Sequence, residues 1–207
     1  MSTLEPTYDW SDILKDLTRS LEERLERDII TTEDTVRYYF FLRLLEAGIQ
    51  HDAMILERPH PHARLQQKQI DLSVTWPGGM WDLEVKYHRP IPSGRNRPRT
   101  QLRGQVVSDI YKLALSDGTH RYMLYLADPR MAAHWERHME MLTPSSRTQP
   151  ARLSWEWFSE QPKTLQETVK AGVGFSPESL VVRVWIVASC TRSLLRSWLF
   201  EIETEAI

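Results

Sequence analysis

The sequence predicts an α/β (α+β) protein in which a mixed central β-sheet is flanked by helices. Three observations predict this class. Two helical patterns precede the first strands, two alternating strands are joined by a short turn, and a helix separates the second of these strands from another apolar strand. With 207 residues, 41% of them hydrophobic, the chain is large enough to bury one core, so we expect a single domain over residues 1–207.

Two helices are predicted at the start of the chain. Leucine and isoleucine recur at helical spacing over residues 10–27, with charged residues between them, which predicts an N-terminal helix. The run Thr31-Thr32-Glu33-Asp34 is a helix start signal, and Gly48 is a stop signal, so a second helix is expected between them.

The next segment predicts a β-hairpin. Residues 69–75 alternate between apolar and polar side chains, residues 76–79 have the composition of a tight turn, and residues 80–88 alternate again. Further along, we expect a helix over 100–115, a strand over 121–127, a helix over 129–141, and a C-terminal β-hairpin from 180–188 and 197–203. Residues 143–177 give no clear assignment.

The polar face of the first hairpin carries the candidate chemistry. Asp71 lies on one strand, and Glu84 and Lys86 share a face of the next because strand side chains alternate with period two. Paired carboxylates bind a hard divalent cation, and a nearby lysine can orient water and neutralise developing charge, as phosphodiester hydrolysis requires. A simple cross-strand ion pair is the alternative. Asp82, on the same face, is expected to be a solvated edge residue.

These runs, Ile70-Asp71-Leu72-Ser73-Val74 and Trp81-Asp82-Leu83-Glu84-Val85-Lys86, resemble the core of the PD-(D/E)xK, or restriction-endonuclease-like, nuclease superfamily. The resemblance covers about residues 31–128, since Glu33 begins a helix upstream and a helix and a strand follow downstream. Residues 129–207 would then form an elaboration with a C-terminal β-hairpin. The sequence departs from the pattern at Ile70, where the superfamily motif has proline.

The resemblance implies a role for each matching residue. Asp71 and Glu84 would bind Mg²⁺, for which Mn²⁺ can substitute, and the backbone carbonyl of Val85 would be a further ligand. Glu33 would contact the metal directly or through water. Lys86 would position the attacking water. The catalytic set expected from the resemblance is therefore Asp71, Glu84, Lys86 and Glu33.

A basic segment follows the second hairpin strand and would lie beside this site. Arginines suit a phosphate backbone, and glutamines occur near the site in some branches of the superfamily. The residues expected to contact DNA are Arg95, Arg97, Arg99, Arg103, Gln101 and Gln105. A solvated, flexible loop is the alternative interpretation. Tyr111 follows Gln105 at the wrong spacing for the glutamine-to-tyrosine motif of one nuclease branch.

The predicted function is therefore a Mg²⁺-dependent phosphodiesterase, in the first place a DNA endonuclease of a restriction, defence or DNA-processing system. The alternatives are a catalytically silent nuclease-fold module that binds DNA or a partner protein, and an interaction protein using Trp135, Trp155 and Trp157. The sequence does not separate DNA from RNA or endonuclease from exonuclease. Cutting both strands of a duplex would favour a homodimer, whereas nicking needs only a monomer.

Several function classes are disfavoured by composition. A single cysteine, Cys190, rules out a disulfide framework and a zinc cluster of cysteines, and the absence of a P-loop argues against a nucleotide cofactor. With no signal-peptide pattern and no apolar run of membrane-spanning length, we expect a cytoplasmic protein without a membrane partner. The run His134-Trp-Glu-Arg-His138 lacks the glutamate spacing of a zinc protease and predicts a surface helix.

Overall fold

A computed structural model of the protein describes residues 8–89, 98–142 and 149–205. It contains one seven-stranded mixed sheet with helices on both faces, which confirms the predicted mixed sheet flanked by helices. The strands are β1 (Met54–Pro59), β2 (Gln69–Trp76), β3 (Gly79–His88), β4 (His120–Ala127), β5 (Ala151–Leu153), β6 (Val181–Thr191) and β7 (Arg196–Glu205).

Six α-helices of the described residues surround the sheet. They are α1 (Trp10–Glu26), α2 (Glu33–Glu46), α3 (Arg99–Ala114), α4 (Pro129–His138), α5 (Trp155–Ser159) and α6 (Lys163–Val173). Short 3₁₀ turns occur at His51–Ala53, Ala63–Leu65 and Glu140–Leu142. None of the helices in the described ranges combines the length and apolar character needed to span a membrane.

The strand order across the sheet is β1-β2-β3-β4-β7-β6-β5. Neighbouring strands are antiparallel except β3 and β4, which are parallel and are joined by the crossover helix α3. The C-terminal hairpin of β6 and β7 is therefore an extension of the same sheet, since β7 pairs with β4 from Tyr122↔Glu201 to Ala127↔Arg196.

A hydrophobic core lies on each face of the sheet. On one face, α1 and α2 cover the apolar side chains of β2 and β3, and the leucine stripe of α1 is buried as its spacing predicts. On the other face, α3, α4 and α6 cover side chains of β4, β6 and β7. Trp135 of α4 is 0% exposed in this second core, so it lines no binding surface.

The segment 143–177, which gave no clear assignment from sequence, contains β5, α5 and α6 in its described part. The apolar residues of α6, Leu165, Val169 and Val173, recur every four positions and are all buried. This helix packs along α3 and forms one wall of the cleft described below.

Candidate active site

Strands β2 and β3 separate beside the candidate residues. Their pairing ends at Leu72↔Leu83, whereas β2 continues to pair with β1 as far as Pro59↔Gln69. Strand β3 continues to pair with β4 as far as His88↔Ala127. A gap therefore opens between the start of β2 and the end of β3, and no described strand pairs with the edge of β3 that faces this gap.

Carboxylates replace the missing strand along this edge. The backbone N–H of Val85 donates to Oδ2 of Asp71 at 2.8 Å, and the N–H of Tyr87 donates to Oε2 of Glu33 at 3.2 Å. The N–H and C=O of one residue face the same side of an antiparallel strand, so the carbonyl of Val85 also faces the gap. Residues from α2, β2 and β3 thus meet at one place.

Helix α2 delivers Glu33 to this edge. Thr32 is the N-cap of α2, and its side chain and that of Thr35 form reciprocal capping hydrogen bonds, which fixes Glu33 as the first helical residue. Oε1 of Glu33 accepts a hydrogen bond from Nζ of Lys86 at 3.1 Å. Glu33 therefore holds both the backbone of β3 and the side chain of Lys86.

Asp71 is also held by a cation from α2. Nη1 of Arg37 lies 3.2 Å from Oδ1 of Asp71 and 3.6 Å from Oε1 of Glu57, and Nη2 contacts Asp34. The guanidinium thus neutralises the carboxylate of Asp71 in the absence of another cation.

Helix α3 adds two charged residues that the sequence analysis missed. Asp109 places Oδ2 3.2 Å from Nζ of Lys86, and Oδ1 2.7 Å from Nζ of Lys112. Nζ of Lys112 also lies 3.5 Å from Oε1 of Glu84. The signal was present in the sequence, because Gln105, Asp109 and Lys112 are spaced by four and three positions and so share a helix face.

Glu84 is the most buried of these acids. Glu84 is 3% exposed, and its Oε1 accepts no hydrogen bond among the residues that the structure describes. Burial raises the pKa of its carboxyl well above the ordinary value; Lys112 opposes the shift, whereas the negative charges of Asp109 and Asp71 add to it. The site therefore disfavours an ionised Glu84 unless more positive charge is supplied.

The two lysines keep their protons. Burial lowers the pKa of Lys86, but the carboxylates of Asp109 and Glu33 outweigh burial, and the pKa rises above its ordinary value. The same holds for Lys112, where Asp109 and Glu84 outweigh burial. Both side chains are therefore ammonium ions at neutral pH.

These charges line a cleft of about 360 Å³ between α3, α6 and the end of β3. Its lining residues are Lys68, Lys86, Gln101, Gln105, Ser108, Asp109, Lys112, Thr168, Ala171 and Gly172. Gly172 allows α6 to approach α3 closely, since a Cβ there would lie 1.9 Å from Oγ of Ser108. The two glutamines named from the sequence, Gln101 and Gln105, line this cleft together with Lys86.

The arginines expected to bind DNA are placed differently from one another. Arg95 and Arg97 lie outside the described residues, and Arg99 is exposed at the start of α3. Arg103 is only 3% exposed and lies on a different side of α3 from the cleft.

The expectation that Asp82 is solvated is wrong. Asp82 is 0% exposed and accepts hydrogen bonds from Nη2 of Arg58 at 2.9 Å and Oγ of Ser73 at 2.5 Å. It also accepts from the N–H of Gly118 at 3.1 Å. Asp82 therefore fixes β1, β2 and the turn before β4 to one another, because a buried carboxylate must be hydrogen-bonded.

The donor set of the gap fits a divalent cation with hard oxygen ligands. Within residues 8–89, 98–142 and 149–205, no three His, Cys, Asp or Glu side chains converge closely enough to hold a metal. Mg²⁺, however, uses one or two carboxylates and keeps several waters. Asp71, Glu84 and the carbonyl of Val85 would provide such a set, and Oε1 of Glu84 has no hydrogen-bond donor among the described residues.

Comparison with known proteins gives no relative from which a function can be transferred. No protein-family model, no curated protein and no solved structure matches this chain.

Proposed function

We propose that the protein is a Mg²⁺-dependent phosphodiesterase, most simply a DNA endonuclease, with a restriction-endonuclease-like core over about residues 31–128. The observation that carries the proposal is the gap between β2 and β3, where Asp71, Glu84 and Lys86 surround an unpaired backbone edge. Four acids from α2, β2, β3 and α3, Glu33, Asp71, Glu84 and Asp109, lie around this edge although they are far apart in sequence.

Asp71, Glu84 and the carbonyl of Val85 would hold the cation. When bound, Mg²⁺ supplies an activated water and stabilises the charge that develops on a phosphate. Glu84 favours this arrangement because its burial leaves negative charge that Lys112, at 3.5 Å, compensates only in part. Asp71 would exchange its contact with Arg37 for the cation.

Lys86 acts as a charged donor in this proposal. Since Glu33 and Asp109 keep its ammonium protonated, it orients water and stabilises negative charge on the phosphate, and it does not abstract a proton. Glu33 is then a positioning residue for Lys86 in addition to the metal contact that the resemblance implies.

A second candidate function is a catalytically silent module that binds nucleic acid. It is favoured by the existing ion pairs, because Asp71 and Glu84 already have cationic partners in Arg37 and Lys112. The two candidates differ in whether Mg²⁺ displaces these partners.

The deciding experiment compares wild-type protein with Lys86→Gln on plasmid, linear duplex DNA, single-stranded DNA and RNA, with Mg²⁺, Mn²⁺ or EDTA. We expect metal-dependent cleavage by the wild type and a loss of at least about 10²-fold in the variant, since one aligned charged donor contributes that much. The control is Lys15→Gln, whose side chain is 61% exposed on α1.

Absence of metal-dependent cleavage on every substrate would contradict the nuclease proposal. If the protein nevertheless binds one of these nucleic acids, with equal affinity in both variants, the silent module is the better description.

A further inference from the structure

A buried arginine without an acidic partner lies away from the cleft. Arg103 of α3 is 3% exposed, and its Nε atom is buried with no hydrogen-bond acceptor among the described residues. Its one hydrogen bond in that part of the chain runs from Nη2 to Oε1 of Gln161 at 3.5 Å, which is long and joins it to a neutral amide. A buried guanidinium of this kind is costly unless an anion pairs with it.

The groups around Arg103 are themselves basic. His134 and His138 lie one turn apart on α4, with ring centroids 4.5 Å apart, and Nε2 of His134 is buried without a described partner. Burial, followed by the positive charges of His138, Arg103, Arg99 and Arg137 in that order, lowers the pKa of His134 to about 4. Because the charges of Arg103 and Arg99 act on His134, the basic side chains of α3 and α4 lie near one another.

The nearby acid is engaged elsewhere. Glu136, the sole carboxylate in the α4 sequence, pairs with Arg196 of β7. Asp109 of α3 is paired with Lys86 and Lys112 in the cleft. Within the described ranges, no carboxylate forms an ion pair with Arg103.

We propose that Arg103, His134 and His138 form a binding site for a phosphate group, with Arg99 and Arg137 at its rim. A guanidinium presents several N–H donors in a fixed plane that matches phosphate oxygens, and an imidazole donates from one ring nitrogen when neutral and from both when protonated. A phosphate would supply the missing acceptors for Nε of Arg103 and Nε2 of His134 together.

This phosphate site is separate from the metal cleft. Arg103 and Gln105 are two positions apart on α3, which turns their side chains about 200° around the helix axis. Gln105 lines the cleft, and Arg103 faces Gln161 and α4. The inference therefore does not require cleavage, although the phosphate of a nucleic-acid backbone and a free phosphate have the same chemistry here.

The test is thermal unfolding in EDTA, with sodium phosphate compared with sodium chloride at equal ionic strength. We expect phosphate to raise the Tm of wild type and of the control Arg130→Gln, an exposed site at the other end of α4, but not of Arg103→Gln. By calorimetric titration, phosphate affinity should fall at least about tenfold in Arg103→Gln. The variant should fold, because it removes an unpaired buried charge.

An equal increase in Tm with phosphate in all three proteins, or no increase in the wild type, would contradict the proposed phosphate site. Fluorescence anisotropy of a labelled DNA duplex in EDTA distinguishes a nucleic-acid backbone from a small phosphorylated ligand as the source of the phosphate. Weaker duplex binding by Arg103→Gln than by Arg130→Gln assigns the site to a nucleic-acid backbone. Unchanged duplex binding, with phosphate binding lost, assigns it to a small phosphorylated ligand. If the protein binds phosphate through Arg103 but cleaves no nucleic acid, the nuclease proposal is contradicted and the phosphate site is not.

Discussion

The two sides of α3 differ in whether their buried charges have partners of opposite charge. On the cleft side, every buried charge has an ionic partner: one chain of ion pairs joins Glu33, Lys86, Asp109, Lys112 and Glu84, and Arg37 pairs separately with Asp71. On the α4 side, Arg103 is buried next to two histidines and two further arginines, and no described carboxylate pairs with it.

This difference predicts two kinds of ligand binding. A cation entering the cleft must replace Arg37 at Asp71 or Lys112 at Glu84, so its affinity depends on how strongly those partners are held. An anion entering beside Arg103 replaces no described ion pair and adds the missing charge. The largest effects of mutation on stability are therefore expected in the cleft, where removing one charged side chain leaves its ion-pair partners buried and unpaired.

Lys112→Gln should have the largest effect on stability. Lys112 is the cation shared by Glu84 and Asp109, and removing one partner of a buried ion pair costs about 3 kcal/mol. In EDTA we expect the Tm to fall by about 2–4 °C for each kcal/mol lost in a domain of this size. Mg²⁺ should restore more stability to the variant than to the wild type, because the cation no longer competes with Lys112.

The matched control for Lys112→Gln is Lys15→Gln, which removes an exposed ion pair with Asp12 and should change stability by at most about 1 kcal/mol. Equal Tm values for Lys112→Gln and Lys15→Gln would show that the cleft does not depend on Lys112 for charge compensation.

Glu84→Gln should have a smaller effect of opposite sign. The folded-state pKa of Glu84 is raised, so the wild type loses stability as pH rises from the ordinary value of 4.5 through the folded pKa. The variant lacks this loss, so at pH 8 in EDTA it should be more stable than the wild type. It should also lose the Mg²⁺-dependent rise in Tm that we expect for the wild type.

Urea unfolding at pH 5 and pH 8, with and without Mg²⁺, measures both effects of Glu84→Gln. Glu203→Gln, which changes an exposed carboxylate on β7, is the control. A Mg²⁺ response that survives in Glu84→Gln would remove Glu84 from the proposed ligand set.

The sequence predicted the elements around the site better than the site's charge balance. Alternation predicted β2 and β3 because one side of each strand faces a core, and the start signal at Thr32 predicted where α2 presents Glu33. Asp82 was misjudged because its partners are remote: Arg58 lies 24 residues away, and Gly118 lies 36 away. Local patterns do not reveal such pairings.

The contribution of α3 was missed for a related reason. Asp109 and Lys112 are three positions apart, a spacing that an ordinary surface ion pair also shows. Only the crossover of α3 between β3 and β4 brings that pair to Lys86 and Glu84. Arg103 was expected to contact DNA from an exposed position, whereas the packing of α4 and α6 on α3 buries it.

His134→Gln should have the smallest effect, on the α4 side. The pKa of His134 is lowered to about 4, so the folded protein binds fewer protons there than the unfolded chain, and stability is lost as pH falls from 6.5 towards 4. Because the ring is partly exposed, this loss should not exceed about 1 kcal/mol after solvent screening. Urea unfolding between pH 7 and pH 4.5 should show a shallower decline in His134→Gln than in the control His51→Gln.

Phosphate connects this pH dependence to the asymmetry of α3. An anion beside His134 offsets the charges of Arg103, Arg99, Arg137 and His138, so it should raise the pKa of His134 and reduce the stability lost on acidification. The imidazole carbon proton resonances of His134, followed by NMR with phosphate or chloride, report this change directly. If phosphate leaves the titration midpoint of His134 unmoved, no bound anion compensates the positive charge on this side of α3. The two sides of α3 would then differ in the free-energy cost of their buried charges and not in the ligands that they bind.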